Sequence, residues 1–141
     1  MRCLNLGYQG RTLADFCSAL VANCVEVLID VRLNPWSQRP EFRKSALQST
    51  LAKHGIKYVH CREAGNPFRP GNGEKRDFAD CAMKFAQYVE KNPKVIDNLE
   101  AIVMNHMSAL LCYEEEREEC HRNIHISALA KRRKDIRVID L

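Results

Sequence analysis

The chain has 141 residues, 45% of them hydrophobic and 28% charged, with a formal net charge of +4. This composition is typical of a soluble globular domain and excludes a disordered or membrane-embedded chain, and the length suffices for one hydrophobic core. Purely apolar runs extend over only a few residues, so we expect no transmembrane span and no signal peptide. We therefore predict a single domain over residues 1–141, located in the cytoplasm and without membrane partners.

The seven cysteines are an odd number and include no Cys-x-x-Cys pair. They stand at positions 3, 17, 24, 61, 81, 112 and 120. Without a secretory context, this pattern argues against a disulfide framework and predicts mostly free thiols. Cys17 and Cys81 fall within apolar helical patterns, where cysteine usually behaves as a small hydrophobic residue.

Positive charge is concentrated in residues 31–76, which contain ten Lys or Arg and three acidic residues, a net charge of +7. The rest of the chain then carries a net negative charge. A locally positive region favours an anionic ligand, either a phosphate compound or nucleic acid. Solvated surface charge is the alternative explanation for any single member of this group.

The chain begins with a predicted strand at residues 3–6, followed by two glycines. Thr12 is a good N-cap, because its hydroxyl can accept a backbone N–H of the next turn, and apolar residues at helical spacing predict a helix over 13–23. Residues 25–31 are nearly all apolar and rich in β-branched side chains, which predicts a central strand covered on both faces. This strand ends in Asp30-Val31-Arg32.

Two prolines, Pro35 and Pro40, exclude regular structure from the middle of the next segment, which we interpret as a functional loop. A helix over 43–54 is predicted to end at Gly55, since glycine tolerates the left-handed conformation that follows many helices. Residues 56–60 predict the third strand.

Residues 68–75 are rich in glycine, proline and charge and predict a lid-like excursion. Two helices follow, over 77–91 and from Pro93 to 106. The remaining predictions are a fourth strand at 108–112, a helix at 118–133 and a final strand at 136–139.

Strands that alternate with helices indicate an α/β fold: a mostly parallel sheet of about five strands with helices on both faces. In such folds ligands bind beyond the carboxyl ends of the strands. The polar or reactive residues that follow strand ends are Tyr8, Asp30, Arg32, Ser37, Arg62, Cys112 and Glu114.

Cys112 stands between the fourth strand and a helix, a layout that can present a nucleophilic thiolate. Five glutamates between 114 and 119 oppose this interpretation, because negative charge raises a thiol pKa and repels phosphate. A buried structural cysteine and a metal ligand are the alternatives. A metal site would use Cys112, Cys120 and His121, with His125 as a further candidate, and this mixed set suits zinc.

Arg32 and Arg122 can hold an anion through the planar guanidinium group, or can form structural ion pairs with Asp30 or Glu114. Trp36 and Phe42 lie among arginines and can stack on a base. Packing of these two aromatic residues into the core of their own loop is the alternative.

Three sequence blocks together resemble one known family. They are Gly7-Tyr8-Gln9-Gly10; Asp30-Val31-Arg32 with Asn34-Pro35, Ser37 and Phe42; and Cys112-Tyr113-Glu114 leading to Cys120-His121-Arg122. The family is the uncharacterised one catalogued as domain of unknown function 488, and the resemblance covers nearly the whole chain. It implies a compact α/β fold in which these blocks meet at one polar site. The chain departs from the family pattern at 63–66, where leucine-glycine-glycine is usual, and in the acidic loop after Cys112.

We predict a small enzyme that acts on an anionic substrate of the phosphate or nucleotide type. The candidate catalytic residues are Cys112 as nucleophile, Glu114 or His121 for proton transfer, and Asp30. The candidate substrate-binding residues are Tyr8, Arg32, Ser37, Tyr58 and Arg122. Two alternatives stay open: a nucleic-acid-binding or adaptor domain that uses residues 31–76, and a metal-stabilised domain without catalysis.

Overall fold

The computed structural model describes residues 2–67, 78–112 and 122–141. The strands within these ranges are β1 (Arg2–Gly7), β2 (Val27–Asp30), β3 (Lys57–His60), β4 (Ser108–Cys112) and β5 (Arg137–Asp140). The helices are α1 (Leu13–Ala22), α2 (Lys44–Lys53), α3 (Phe78–Lys91), α4 (Lys94–Asn105) and α5 (Arg122–Arg132). Short 3-10 turns span Pro40–Phe42 and Arg62–Ala64. The predicted lid at 68–75 and the predicted start of the last helix lie outside the described residues.

All five strands are parallel and form one sheet in the order β3-β2-β4-β1-β5. The predicted α/β fold with a parallel sheet of about five strands is therefore confirmed. In the register of the sheet, Gly7 of β1 lies opposite Cys112 of β4. Asp30 of β2 lies opposite both Leu111 of β4 and His60 of β3. The carboxyl ends of these four strands thus meet at one edge of the sheet.

Alternation of side chains along the strands divides the core into two layers. Leu4, Leu6 and Leu28 face one side of the sheet and pack with the buried residues of α1 and α2. Val27 and Ile29 face the other side and pack with α3, α4 and α5. Helices therefore cover both faces, as predicted, and the apolar residues of β1, β2 and β4 are buried.

The local signals at two helix ends are also confirmed. Thr12 caps α1, and its Oγ1 accepts the backbone N–H of Asp15 at 3.1 Å. Gly55 follows α2 with a φ of +73°, the left-handed region that favours glycine. Val21, one of the apolar residues at helical spacing in α1, is half exposed, because its side of the helix borders an open groove beside α2.

Within the described ranges, no helix combines the length and the apolar character that crossing a membrane requires.

Candidate functional site

The carboxyl end of β2 carries a buried ion pair between Asp30 and Arg32. Arg32 Nε donates to Asp30 Oδ1 at 2.9 Å, and Arg32 Nη2 donates to Asp30 Oδ2 at 2.7 Å. The backbone N–H of Arg32 donates to the same Oδ1 at 3.0 Å. The side chain of Asp30 is fully buried and that of Arg32 nearly so. Burial opposes the charge of Arg32, but the hydrogen bonds and the charge of Asp30 outweigh burial and raise the pKa of Arg32.

Two tyrosines extend this pair into a buried polar network. The hydroxyl of Tyr58, from the neighbouring strand β3, donates to Asp30 Oδ2 at 2.5 Å. Burial, followed by the charge and hydrogen bond of Asp30, raises the pKa of Tyr58, so its hydroxyl remains a donor at neutral pH. The hydroxyl of Tyr8, beyond the end of β1, lies 3.5 Å from Arg32 Nη1. The network therefore links the carboxyl ends of β1 and β2 to Tyr58 within β3.

All three nitrogen atoms of the Arg32 guanidinium contact protein acceptors, since Nη1 also donates to the carbonyl of Phe42 at 2.8 Å. These are the contacts of a structural ion pair, which was one of the two interpretations of this residue. Anion binding by Arg32 stays a prediction. What the geometry shows is that Arg32 fixes the conformation of the loop that follows β2.

Ser37 organises that loop. Its buried hydroxyl accepts the backbone N–H of Arg39 at 3.1 Å, and its carbonyl accepts Arg43 Nε at 2.9 Å. The Arg39 guanidinium lies over the ring of Phe42, 4.4 Å from its centroid, and Arg43 lies over the ring of Trp36 at 4.9 Å. The loop thus places two arginines next to two aromatic rings.

The two aromatic residues of the loop have different environments. Phe42 is fully buried, stacks on Tyr8 with ring centroids 4.4 Å apart, and belongs to the core under α1 and α2. Trp36 is 53% exposed. The core interpretation therefore holds for Phe42 and not for Trp36.

The exit of β3 adds a contact that the sequence pattern did not indicate. His60 Nε2 lies 2.7 Å from the carbonyl oxygen of Arg32. A carbonyl oxygen only accepts hydrogen bonds, so Nε2 carries the proton and donates it. Spacing along the chain holds no signal for this contact, because 28 residues separate the two partners.

Gly65, after β3, packs directly on the loop that follows β2. A Cβ at this position would lie 2.5 Å from the backbone nitrogen of Leu33 and closer still to its Cα. Glycine is therefore required here by the close approach of the two backbones.

Three of the described cysteines are poor nucleophiles. Burial raises the pKa of the Cys3 thiol to about 12, and it also raises the pKa of Cys17. Burial, with the charges of Glu63 and Asp30, raises the pKa of Cys61 to about 11, although Cys61 lies at the carboxyl edge of the sheet. Cys24 is exposed but follows α1, at the opposite edge. None of Cys3, Cys17 and Cys61 thus supplies a thiolate at neutral pH.

Cys112 is the last residue of β4, between β1 and β2 in the sheet, and Arg122 is the first residue of α5. Glu114, Cys120 and His121 lie outside the described residues. His125 is buried in α5, and its Nε2 lies 2.7 Å from the carbonyl oxygen of Ala64. Within the part of the chain that the structure describes, no three His, Cys, Asp or Glu side chains form a group able to hold a metal ion.

Comparison with known proteins yields one match. Residues 12–129 match the family described as Domain of unknown function DUF488. The chain belongs to this family. No curated protein sequence and no solved structure matches it. In this DUF488 member, the matched region contains the ends of β2, β3 and β4, and therefore most of the polar edge described above.

Proposed function

We propose that this protein is a small enzyme that acts on an anionic substrate of the phosphate or nucleotide type, bound at the carboxyl edge of its sheet. The observation that carries the proposal is the position of β4. The chain leaves β1 and β2 toward helices on one face of the sheet, whereas the next helix after β4 lies on the other face. Connections that diverge to opposite faces open a crevice between them, and ligands of α/β proteins bind in such crevices. Cys112 ends the strand at this point.

The proposed roles follow from this location. Cys112 is the nucleophile, Glu114 or His121 transfers the proton, and Arg122 holds the anionic group. The network of Tyr8, Asp30, Arg32 and Tyr58 forms a rigid wall beside the end of β4, and Ser37 fixes the loop above it. A wall whose polar groups are already hydrogen bonded needs little reorganisation when a substrate binds.

Cations around the edge support the choice of an anionic substrate. Arg39 and Arg43 lie in the loop after β2, and the exposed Arg62 follows β3. The glutamate at position 41 pairs with Arg39 at 3.1 Å and offsets one of these charges. Positive charge in these two loops attracts anionic substrates, and the five glutamates between 114 and 119, which follow β4, oppose that attraction. Five described cysteines are free thiols, which agrees with the reducing cytoplasm as the location that we propose.

The test is a screen of purified protein for turnover of phosphate monoesters, phosphodiesters and nucleotides, followed by substitution of the nucleophile. Cys112→Ser is expected to abolish turnover of any substrate found, since a serine hydroxyl is a far weaker nucleophile than a thiolate. Cys24→Ser is the matched control, because it removes an exposed thiol at the opposite edge of the sheet. Full activity of Cys112→Ser would rule out the thiolate mechanism.

The alternative, a nucleic-acid-binding domain that uses residues 31–76, is less well supported, because its cations do not share one surface. Lys57 begins β3 and Arg62 follows its end, so the two lie at opposite edges of the sheet. Arg32 is neutralised by Asp30. An affinity for nucleic acid that falls steeply with salt is what this alternative predicts.

A further inference from the structure

Trp36 is the single tryptophan of the chain, and more than half of its surface is exposed. It is the only aromatic residue among the large hydrophobic side chains that are exposed within the described ranges. Trp36 lies in the loop after β2, at the same edge of the sheet as the site proposed above. An exposed aromatic ring at a ligand-binding edge offers a flat apolar face that water solvates poorly.

Arg43 fixes one side of this ring. Its guanidinium carbon lies 4.9 Å from the centroid of the Trp36 ring, and its Nε donates to the carbonyl of Ser37 at 2.9 Å. Nη1 and Nη2 of Arg43 have no hydrogen-bond partner among the described residues. Two open, cationic donor groups therefore lie beside a partly open aromatic ring.

We propose that Trp36 and Arg43 bind a nucleoside phosphate, whose base stacks on the open part of the Trp36 ring and whose phosphate oxygens accept hydrogen bonds from Nη1 and Nη2 of Arg43. This inference rests on the proposed function and names its substrate class. It also identifies Arg43 as a binding residue that the sequence did not predict, and it takes up the base-stacking interpretation of Trp36 given above.

The pairing of the two groups is what favours a nucleotide over an apolar protein surface. An apolar partner would cover Trp36 but would also remove water from the Arg43 donors without replacing those hydrogen bonds, which is unfavourable. A nucleotide supplies both a π face and anionic oxygens within one small ligand, and arginine and an aromatic ring are the usual partners of these two groups.

The single tryptophan makes the test direct, because any change in tryptophan fluorescence reports on Trp36. We would titrate the protein with AMP, ribose 5-phosphate and inorganic phosphate at constant ionic strength. AMP is expected to quench the fluorescence and to bind about tenfold more tightly than ribose 5-phosphate, which lacks the base. Equal affinities for AMP and ribose 5-phosphate, without quenching, would overturn the inference.

Variants separate the two contacts. By calorimetry, Trp36→Leu is expected to lose the preference for AMP over ribose 5-phosphate, whereas Arg43→Gln weakens binding of both compounds about tenfold. Lys44→Gln is the matched control: it removes the same charge from the neighbouring residue, an exposed side chain at the start of α2, and should leave both affinities unchanged. An equal loss of affinity in Lys44→Gln would mean that binding depends only on the net charge of the protein, and this result would also overturn the inference.

A fourth ligand, a short oligoadenylate, shows whether the base and the phosphate belong to a free nucleotide or to a single-stranded nucleic acid. Tighter binding of the oligomer with a steep salt dependence would support base stacking within a single-stranded nucleic acid, whereas preferential binding of AMP supports a free nucleotide. The outcome is separable from that of the proposed function. Turnover of a phosphate compound without quenching by AMP would support the enzyme proposal and overturn this inference. Quenching by AMP without turnover of any phosphate compound would support nucleotide binding and count against the enzyme proposal.

Discussion

Asp30 and Arg32 form a buried ion pair in which one carboxylate accepts hydrogen bonds from both the side chain and the backbone of the same arginine. Only Val31 separates the two residues in the chain. The pair therefore determines how the chain turns as it leaves β2, and through the carbonyl of Phe42 it also holds the far end of the following loop. This relationship connects the stability of the fold to the shape of the candidate site.

We predict that Arg32→Met destabilises the protein by about 3–5 kcal/mol, because it leaves Asp30 as a buried charge without its partner. Arg132→Met is the matched control, since Arg132 pairs with Asp97 on the surface, where such a pair contributes about 1 kcal/mol or less. Urea unfolding of both variants measures the difference. Equal losses in the two variants would show that the Asp30–Arg32 pair is not effectively buried in solution.

Removal of both charges should be less harmful than removal of one. In Asp30→Leu/Arg32→Met no uncompensated charge remains, so we expect a smaller loss of stability than in Arg32→Met alone. Tyr58→Phe should cost about 1–3 kcal/mol, because Asp30 Oδ2 then loses one of its donors. The same urea experiments test the double variant and Tyr58→Phe. A double variant less stable than Arg32→Met would contradict the prediction that removal of both charges is less harmful.

The buried thiol of Cys61 predicts a loss of stability at alkaline pH. Its pKa is raised from an ordinary value of 9.0 to about 11 in the folded protein. Between these two pH values the unfolded chain has released the proton and the folded protein retains it, so the free energy of unfolding falls as pH rises. The contribution of Cys61 is complete below pH 9 and, with allowance for solvent screening, amounts to about 1–2 kcal/mol.

Urea unfolding under reducing conditions, from about pH 8 to pH 11, measures this dependence. Cys61→Ala should be less stable than the natural sequence at neutral pH but should show a flatter pH profile. Cys24→Ala removes an exposed thiol and should leave the slope unchanged. Parallel profiles for the natural sequence and Cys61→Ala would be inconsistent with the raised pKa.

Gly65→Ala is predicted to destabilise the protein by about 2–3 kcal/mol for a purely steric reason. The φ of Gly65 is −73°, which any residue adopts, but the new Cβ would overlap the backbone of Leu33. Gly55→Ala is also destabilising, but through backbone conformation: a Cβ would meet open space, and the positive φ of this residue costs alanine about 1 kcal/mol. Asparagine tolerates a positive φ, so it should restore stability at position 55 and lower it further at position 65. Similar behaviour of asparagine at both positions would contradict the steric explanation.

Thiol labelling distinguishes the proposed nucleophile from the metal alternative. Cys3, Cys17 and Cys61 are buried, and serine at positions 24 and 81 removes the two described thiols of intermediate or high exposure, which leaves Cys112 and Cys120. In this background we expect a thiol that is rapidly alkylated below neutral pH, and its reaction should be lost in Cys112→Ser and kept in Cys120→Ser. Zinc held by Cys112, Cys120 and His121 would give the opposite pattern. Alkylation would then require a chelator, which would release about one equivalent of metal and free at least two thiols.

The sequence alone determined the succession of strands and helices, the capping by Thr12 and Gly55, and the parallel α/β class. These features depend on local properties, namely hydrophobic period, capping chemistry and the order of elements along the chain. The placement of Tyr8 and Asp30 at the carboxyl edge of the sheet also followed from the sequence, since parallel strands all end at the same edge.

Only the tertiary structure decided which residues at that edge touch one another. The contact of Tyr58 with Asp30 and that of His60 with the carbonyl of Arg32 join residues 28 positions apart, and sequence spacing does not encode such contacts. The sequence likewise did not indicate that Phe42 is buried in the core and Trp36 is exposed, because both residues are aromatic and lie in one loop. Strand order and long-range packing determine these outcomes, and they depend on how the complete core is filled rather than on any local pattern.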